Sequence, residues 1–306
     1  MPELPDVTLY VEALERDFGG KPLEKARLAS VSLLRSVDPP LSAAEGRTVA
    51  GARRIGKRIV LSLEGDLHLV FHLMIAGRFH VKKRGAPIPA KRAHAAFDFP
   101  NATLMLTEAS PKKRAILHVV QGEANLAAHD PGGLEVLEAD LAAFRAALAR
   151  ESHTLKRSLT DPTLFSGIGN AYSDEILHRA KLSPMKLSTK LDDAETAVLF
   201  AATREVLIEW TERLRREFAG AFPEKVTAFR PEMAVHGKYR EPCPVCGSPV
   251  QRIVHAANES NYCAQCQTGG RLLADRALSR LLKDDWPRTL EELEARLPQR
   301  ATPRGR

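Results

Sequence analysis

The sequence predicts an α+β chain, with antiparallel strands in its first part, helices in its middle and a cysteine ribbon near its end. Three observations carry this. Apolar residues alternate at Ile59, Leu61 and Leu63 and again at Leu67, Leu69, Phe71 and Leu73, the two-residue period of strands with a buried face. In the stretches Leu141 to Leu148 and Asp193 to Leu214 the apolar spacing changes to the three-and-four step of a helix. All four cysteines fall between 243 and 266, as Cys243-x-x-Cys246 and Cys263-x-x-Cys266. At 306 residues the chain exceeds a typical single domain. Its changes of pattern divide it into segments 1–128, 129–236, 237–270 and 271–306.

The N-terminus reads Met1-Pro2-Glu3-Leu4-Pro5-Asp6. Val7, Tyr10, Val11 and Leu14 follow at i, i+3, i+4 and i+7, which predicts an amphipathic helix from about Asp6. The small Pro2 side chain permits removal of Met1, and the new terminus is then a secondary amine beside the Glu3 carboxylate. An α-amino group has a reference pKa of about 8, against about 10.4 for lysine, so a useful fraction is unprotonated at neutral pH. The positive end of the helix dipole lowers that basicity further. A neutral amine of this kind attacks aldehyde-like carbons to form an iminium. Proline also opens many ordinary helices, so this stretch acquires its meaning from the rest of the chain.

The strands at 59–63 and 67–73 are joined through Glu64-Gly65-Asp66, a hairpin. Lys57 shares the parity of Ile59, Leu61 and Leu63, which aims its ammonium at the packed face or a cleft mouth if the strand reaches back that far. A second hairpin is expected from Phe97-Asp98-Phe99, the Pro100-Asn101 turn and Leu104-Met105-Leu106. Antiparallel strands in this number predict a sandwich or small barrel. Basic clusters flank them: Arg53, Arg54, Lys57 and Arg58; Lys82, Lys83 and Arg84; Lys91 and Arg92; Lys112, Lys113 and Arg114. Four such clusters in one segment favour a surface that follows phosphates.

In the helical part, Asp161-Pro162 reads as a helix start, Gly167-Ile168-Gly169-Asn170 as a tight turn, and 171–180 as a second helix. Glycines there let backbone approach a ligand closely, and the following helix offers free N–H groups to an anion. The two CxxC knuckles supply four thiolates for tetrahedral Zn2+ with no open position, a structural site. The stretches 249–254 and 261–262 between them form a ribbon. Residues 271–306 read as a Leu-rich charged helical segment with a disordered basic tail from Arg300.

Composition narrows the class. A net charge of +7 and a pI near 9.3 point to a polyanionic partner, nucleic acid before membrane. No apolar run reaches membrane-spanning length, and the charged N-terminus lacks a secretory h-region. A cytoplasmic protein, on the nucleoid when bound to DNA, is expected.

Together these features resemble the formamidopyrimidine-DNA glycosylase and endonuclease VIII family. The carrying residues are Pro2 to Asp6, Lys57, Lys156 with Leu159-Thr-Asp161, Gly167-Ile-Gly-Asn170-Ala-Tyr-Ser-Asp-Glu175, and the four-cysteine ribbon. The resemblance implies an N-terminal antiparallel β-sandwich with a flanking helix, and a C-terminal helical domain with a helix-two-turn-helix and a zinc-ribbon finger. It also implies a monomeric bifunctional glycosylase and lyase on double-stranded DNA containing a damaged base or abasic site. In it Pro2 is the nucleophile, Glu3 the general acid and base, and Lys57 holds a phosphate near the lesion. Lys156 and Asn170 grip the backbone.

Several positions depart from the family pattern. Asn258 stands in the finger hairpin where an arginine is common, with Arg252 as a candidate replacement. Ile75 stands where a methionine is usual among the residues that fill the gap left by the flipped base. Lys113 and Arg114 occupy the Arg and Phe positions of Pro-Arg-Arg-Phe-Gly, and a guanidinium plane stacks on bases. These changes leave the lesion open between oxidised pyrimidines and ring-opened purines, and elimination open between one step and two. Two alternatives of a different class are a non-catalytic damaged-DNA-binding protein on the same scaffold and an RNA-binding zinc-ribbon protein. The latter leaves the N-terminal motif without a purpose.

Overall fold

The structure, a computed structural model, describes residues 1–89, 92–110, 112–227, 229–255, 258–274 and 276–296. Two compact units divide the chain: Met1–Ala147, Leu159–Gly169 and Arg204–Ala228 form one, and Leu148–Ser158, Asn170–Thr203 and Phe229–Arg306 the other.

The first unit opens with α1 (Leu4–Phe18), whose N-terminus begins two residues before the predicted one because Pro5 suits the first turn and Glu3 and Asp6 form a capping box. Val7, Tyr10 and Leu14 are fully buried, the face the sequence pattern marks. Strands β1 (Lys25–Leu28), β2 (Val49–Ile55), β3 (Arg58–Leu63), β4 (Leu67–His72), β5 (Gly77–Lys82), β6 (Ala93–Asp98), β7 (Thr103–Glu108) and β8 (Ile116–Gln121) follow. Among the described residues they form two four-stranded antiparallel sheets, β1-β6-β7-β5 and β2-β3-β4-β8, which share no strand. The sandwich, of the two predicted alternatives, is the one formed.

Both expected hairpins are present, with Ile59 opposite Phe71 in one and Phe97 opposite Leu104 in the other. The β3–β4 turn takes positive φ at Gly65 (76°) and Asp66 (56°), the twist a tight hairpin needs. Phe71 lies between the sheets, edge-on to Phe79 at 5.1 Å and to Phe97 at 5.3 Å. The outer face of the second sheet is covered too, where Val60, Val70 and Val120 pack with Leu126 of α2 (Glu123–Leu126). That second burial explains why β3 and β4 read as nearly continuous apolar runs.

Helices α3 (Leu141–Ala149), α4 (Leu155–Thr160), α5 (Asn170–Arg179) and α6 (Asp193–Phe218) make up the middle of the chain. Leu207, Trp210 and Leu214 of α6 are buried, as their spacing predicts. Asp161-Pro162 does not start a helix. The Asp161 side chain accepts the N–H of Thr163 at 2.9 Å and its hydroxyl at 2.7 Å, closing a turn after α4 instead.

In the second unit β9 (Val250–His255) and β10 (Asn258–Cys263) pair as the ribbon, followed by α7 (Ala264–Thr268), α8 (Arg276–Leu282) and α9 (Leu290–Arg296). Leu272 and Leu290 pack on Ile253 and Tyr262 of the ribbon, so the segment after the last cysteine is docked on the finger. The predicted basic tail from Arg300 lies outside the described residues. No helix among the described residues is long and apolar enough to cross a membrane.

Phe71→Ala is expected to destabilise the first unit by about 3–5 kcal/mol, since its ring is 1 % exposed between two other aromatics. Urea unfolding followed by near-ultraviolet circular dichroism checks this, and a loss below about 1 kcal/mol contradicts the packing described.

Candidate active site and nucleic-acid interface

Pro2 and Glu3 are both buried at the head of α1. The Glu3 N–H donates to the Asp6 carboxylate at 3.0 Å, and the Leu4 N–H donates to the Gly167 carbonyl at 2.9 Å. The Glu3 carboxylate accepts the Gly169 N–H at 2.7 Å. Two glycines make this approach possible. Gly167 has a φ of 77°, and a Cβ there would lie 2.8 Å from the Leu4 Cβ; a Cβ on Gly169 would lie 2.5 Å from the Glu3 Cδ. The turn at 167–169 thus acts as a cradle for the first residues of the chain.

Lys57 completes this constellation by donating from Nζ to the Ile168 carbonyl at 2.8 Å. Its predicted inward aim is realised, by a different route. β3 begins only at Arg58, so Lys57 sits in the Gly56-Lys57 turn and no strand parity applies to it. An ammonium has three donors, and the bond to Ile168 uses one. Burial holds Lys57 below the usual 10.5, with the Glu3 carboxylate opposing that shift. The terminal amine of Met1 is likewise held below 8.0, chiefly by burial, with Glu3 opposing and Arg78 and Lys57 among the reinforcing charges. Burial at this end of the chain therefore lowers the basicity of both amines.

Three residues that the sequence pattern does not single out shape the same region. Burial, followed by the charges of Arg58 and Lys57, brings His72 at the end of β4 down to about 4, so its ring is neutral at pH 7. Arg78 donates to the carbonyls of Ile75 at 3.2 Å, Gly77 at 2.6 Å and Val226 at 2.5 Å, fixing the turn between β4 and β5. Glu135 accepts from Arg54 and from the Ser166 hydroxyl, bracing the residue before Gly167. His72 and Arg78 flank the segment that holds Ile75, which is the one signal that marks them in the sequence.

Ile75 is 57 % exposed on its turn. Arg114 is exposed and Lys113 half-buried on the loop before β8; Pro111 of the same motif lies outside the described residues. Several of the predicted phosphate-following cations are instead paired within the unit: Arg53 with Glu123, Arg54 with Glu135, Lys82 with Glu224 and Arg84 with Glu24. Lys83, Arg92 and Lys112 are exposed, and Lys91 lies outside the described residues.

A separate constellation forms within the second unit. The Lys156 Nζ donates to the Asn170 carbonyl at 2.7 Å and to Asp174 at 2.5 Å. Asn170 donates its side-chain amide to the Glu259 carbonyl of β10 at 2.9 Å. Lys156, Asn170 and the finger hairpin are thus brought together. Asn258 opens β10 opposite His255, and its side chain lies outside the described residues. Arg252 sits over the Tyr239 ring at 4.3 Å and pairs with Glu259 at 3.2 Å. With side chains 44 % and 31 % exposed, that pair is as open to competition as the exposed pairs of the first unit.

The four cysteines converge, with all Sγ atoms within 4.8 Å of one another. Cys243 and Cys266 are 3.9 Å apart and Cys246 and Cys263 3.4 Å. A tetrahedral zinc with Zn–S bonds of about 2.3 Å spaces its sulfurs about 3.8 Å apart, so the set fits. The Cys266 N–H points at the Cys263 sulfur at 3.4 Å, and His178 Nε2 lies 3.3 Å from the Cys243 sulfur as an outer partner.

Three family descriptions match the chain: the formamidopyrimidine-DNA glycosylase N-terminal domain over residues 1–114, its H2TH domain over 132–215, and a zinc finger found in FPG and IleRS over 240–269. The formamidopyrimidine-DNA glycosylase of Thermus thermophilus is 32 % identical over 88 % of this chain and 100 % of its own. That of Solibacter usitatus is 30 % identical over 87 % and 99 %. A Mycobacterium tuberculosis protein described as an uncharacterized formamidopyrimidine-DNA glycosylase-like protein is 41 % identical over 50 % of this chain and 93 % of its own. In fold, the chain is similar to Lactococcus lactis Fpg in complex with abasic-site DNA, with a TM-score of 0.76, 24 % identity, and coverage of 87 % of this chain and 99 % of that one.

Lys57→Met is expected to leave stability at pH 7 within about 1 kcal/mol of wild type or above it, because a buried charge is replaced by an apolar side chain. With the folded pKa of Lys57 lowered, the unfolded chain binds more protons in the window below 10.5, so this group's contribution rises with pH there. Any advantage of the variant should therefore shrink toward pH 10. Urea unfolding at both pH values checks it, and a loss above about 2 kcal/mol at pH 7 contradicts the account.

Proposed function

Because the chain belongs to the formamidopyrimidine-DNA glycosylase family, we propose that it is a DNA repair glycosylase that also cleaves the strand at the abasic site it makes. The observation that carries the reading is the Glu3 carboxylate. It is buried beside Pro2, fixed by the Gly169 N–H, and interacts with the ammonium of Lys57.

Removal of Met1 exposes the Pro2 nitrogen as a nucleophile. A damaged nucleotide is first extruded from the duplex, because C1′ is out of reach in the stack and a damaged pair costs less to open. The Pro2 nitrogen forms a bond to C1′ as the bond from C1′ to the base breaks, and the proton lost from that nitrogen goes to the departing base, which leaves neutral. Glu3 protonates the ring oxygen, opening the sugar to an iminium. The iminium acidifies the C2′ proton; a base removes it and the 3′ carbon–oxygen bond breaks, which cuts the strand. The same chemistry offers a second elimination that releases the 5′ phosphate as well.

The proposed DNA contacts are those that the family resemblance implies for these positions. Lys57 holds a phosphate near the lesion, and Lys156 and Asn170 hold the backbone from the second unit. Ile75, Lys113 and Arg114 fill the gap left by the flipped base, and Asn258 gives the finger an uncharged contact. Cys243, Cys246, Cys263 and Cys266 hold one structural Zn2+ that keeps the knuckles together. The enzyme acts as a monomer on double-stranded DNA, with segments 1–128, 129–236, 237–270 and 271–306 as its working divisions. The three family matches fall inside the first three.

Borohydride treatment during reaction with an abasic-site duplex is expected to trap wild type covalently on DNA. Pro2→Gly should trap poorly, and Glu3→Gln should lose nicking by about a hundredfold or more. Equal trapping by all three proteins sinks the mechanism. Absence of any adduct from protein that lacks Met1 and binds damaged DNA supports the non-catalytic alternative. Separately, metal analysis is expected to find one zinc per chain, lost in Cys263→Ser together with about tenfold or more of DNA affinity. Full DNA affinity in a zinc-free variant contradicts the role given to the finger.

A further inference from the structure

Glu108 ends β7 with its side chain buried, and the catalytic reading does not use it. Its carboxylate accepts the Arg114 N–H at 2.9 and 3.1 Å and the Ala115 N–H at 3.1 Å. His94 Nε2 faces the same oxygen at 3.1 Å. His94 reaches it because β6 is bulged: Ala93 pairs with Thr107 and Ala95 with Leu106, leaving His94 as the extra residue. Burial, and then the Lys113 charge, hold His94 below its usual pKa. Facing a carboxylate, which only accepts, Nε2 is the nitrogen that carries the proton.

The backbone of Glu108 serves a second segment. It pairs with Gly77, the last residue of the turn that carries Ile75. The N–H of Gly77 closes that turn onto the Leu73 carbonyl at 2.9 Å, and Met74 within it has a φ of 52°. The Ile75 turn and the Arg114 loop, far apart in sequence, are therefore both registered on one residue.

We infer that Glu108 is a positioning residue whose carboxylate holds the Arg114 loop against the strand whose backbone pairs with the Ile75 turn, so that both side chains are in register for entry into the gap left by a flipped base. The inference rests on the proposed role of those two side chains. The chemistry is specific to a carboxylate. Both Glu108 oxygens are pure acceptors facing N–H donors, whereas glutamine turns an NH2 group toward at least one of them. A loop released from these bonds pays its ordering cost on binding.

The gap exists only in a duplex, which gives the test. Nicking of an abasic site is measured in duplex and in single-stranded DNA, below saturation, for wild type, Glu108→Gln, Arg114→Ala and the double variant, with folding checked by thermal melting. Glu108→Gln is expected to lose about tenfold or more on duplex while staying within about twofold on single strands. If Glu108 acts through Arg114, the double variant is no worse than Arg114→Ala on duplex. Equal losses on both substrates, or a double variant that loses the product of the single effects, overturns the inference. If Glu108→Gln does not fold, His94→Asn, which leaves the carboxylate but removes the imidazole, is expected to show a smaller loss confined to duplex. An equal loss on both substrates overturns it there too. Wild type that nicks neither substrate sinks the enzymatic reading and this inference together, whereas wild type that nicks both with a variant impaired on both removes only the role of Glu108.

Discussion

The hydrogen bond from the Gly169 N–H to the Glu3 carboxylate is the constraint on which the first unit's site depends. It joins positions 166 residues apart and works only if neither Gly167 nor Gly169 carries a Cβ. A carboxylate taken out of water needs such a partner, because a buried charge without hydrogen bonds is expensive. Once Glu3 is fixed, Pro2 beside it is fixed by the chain itself, and Lys57 joins through the carbonyl of Ile168. The bracing behind the cradle continues through Ser166, Glu135 and Arg54. The placement of Glu3 is therefore distributed over residues far from it in sequence.

Electrostatics in this unit divide into cations that hold the fold and cations that remain for a partner. Arg54 and Glu135 close on each other with side chains 17 % and 35 % exposed, so their pairing serves the cradle more than the surface. Arg53, Lys82 and Arg84 are tied to carboxylates at more exposed positions, where each pair is worth little in water. Competition by phosphate for those cations is then inexpensive. Lys57 differs, since its environment lowers its own basicity and leaves donors unspent.

Much of this was legible in the residues. Alternation placed both hairpins, helical spacing placed the buried stripe of α6, and the CxxC spacing placed the sulfur cluster, because each is a local pattern with one physical cause. What was not legible depends on partners distant in sequence. The three donors on Glu108 include a histidine that faces it only because β6 carries an extra residue. Arg54 and Glu135 are 81 positions apart, and nothing in either neighbourhood names the other. Lys57 shows how a correct aim can follow from an incorrect premise: strand parity directed it inward, whereas a turn and a distant carbonyl do so in the structure. At Asp161 the same side chain that caps a helix start closes a turn instead, a choice local sequence does not make.

The central claim is that the Pro2 nitrogen is the nucleophile, and its most direct test is the intact mass of the protein that reacts. The account predicts that the species trapped on an abasic duplex lacks Met1 and that the DNA-linked peptide begins at Pro2. A reactive species that retains Met1, with its Pro2 nitrogen still held in a peptide bond, would contradict it.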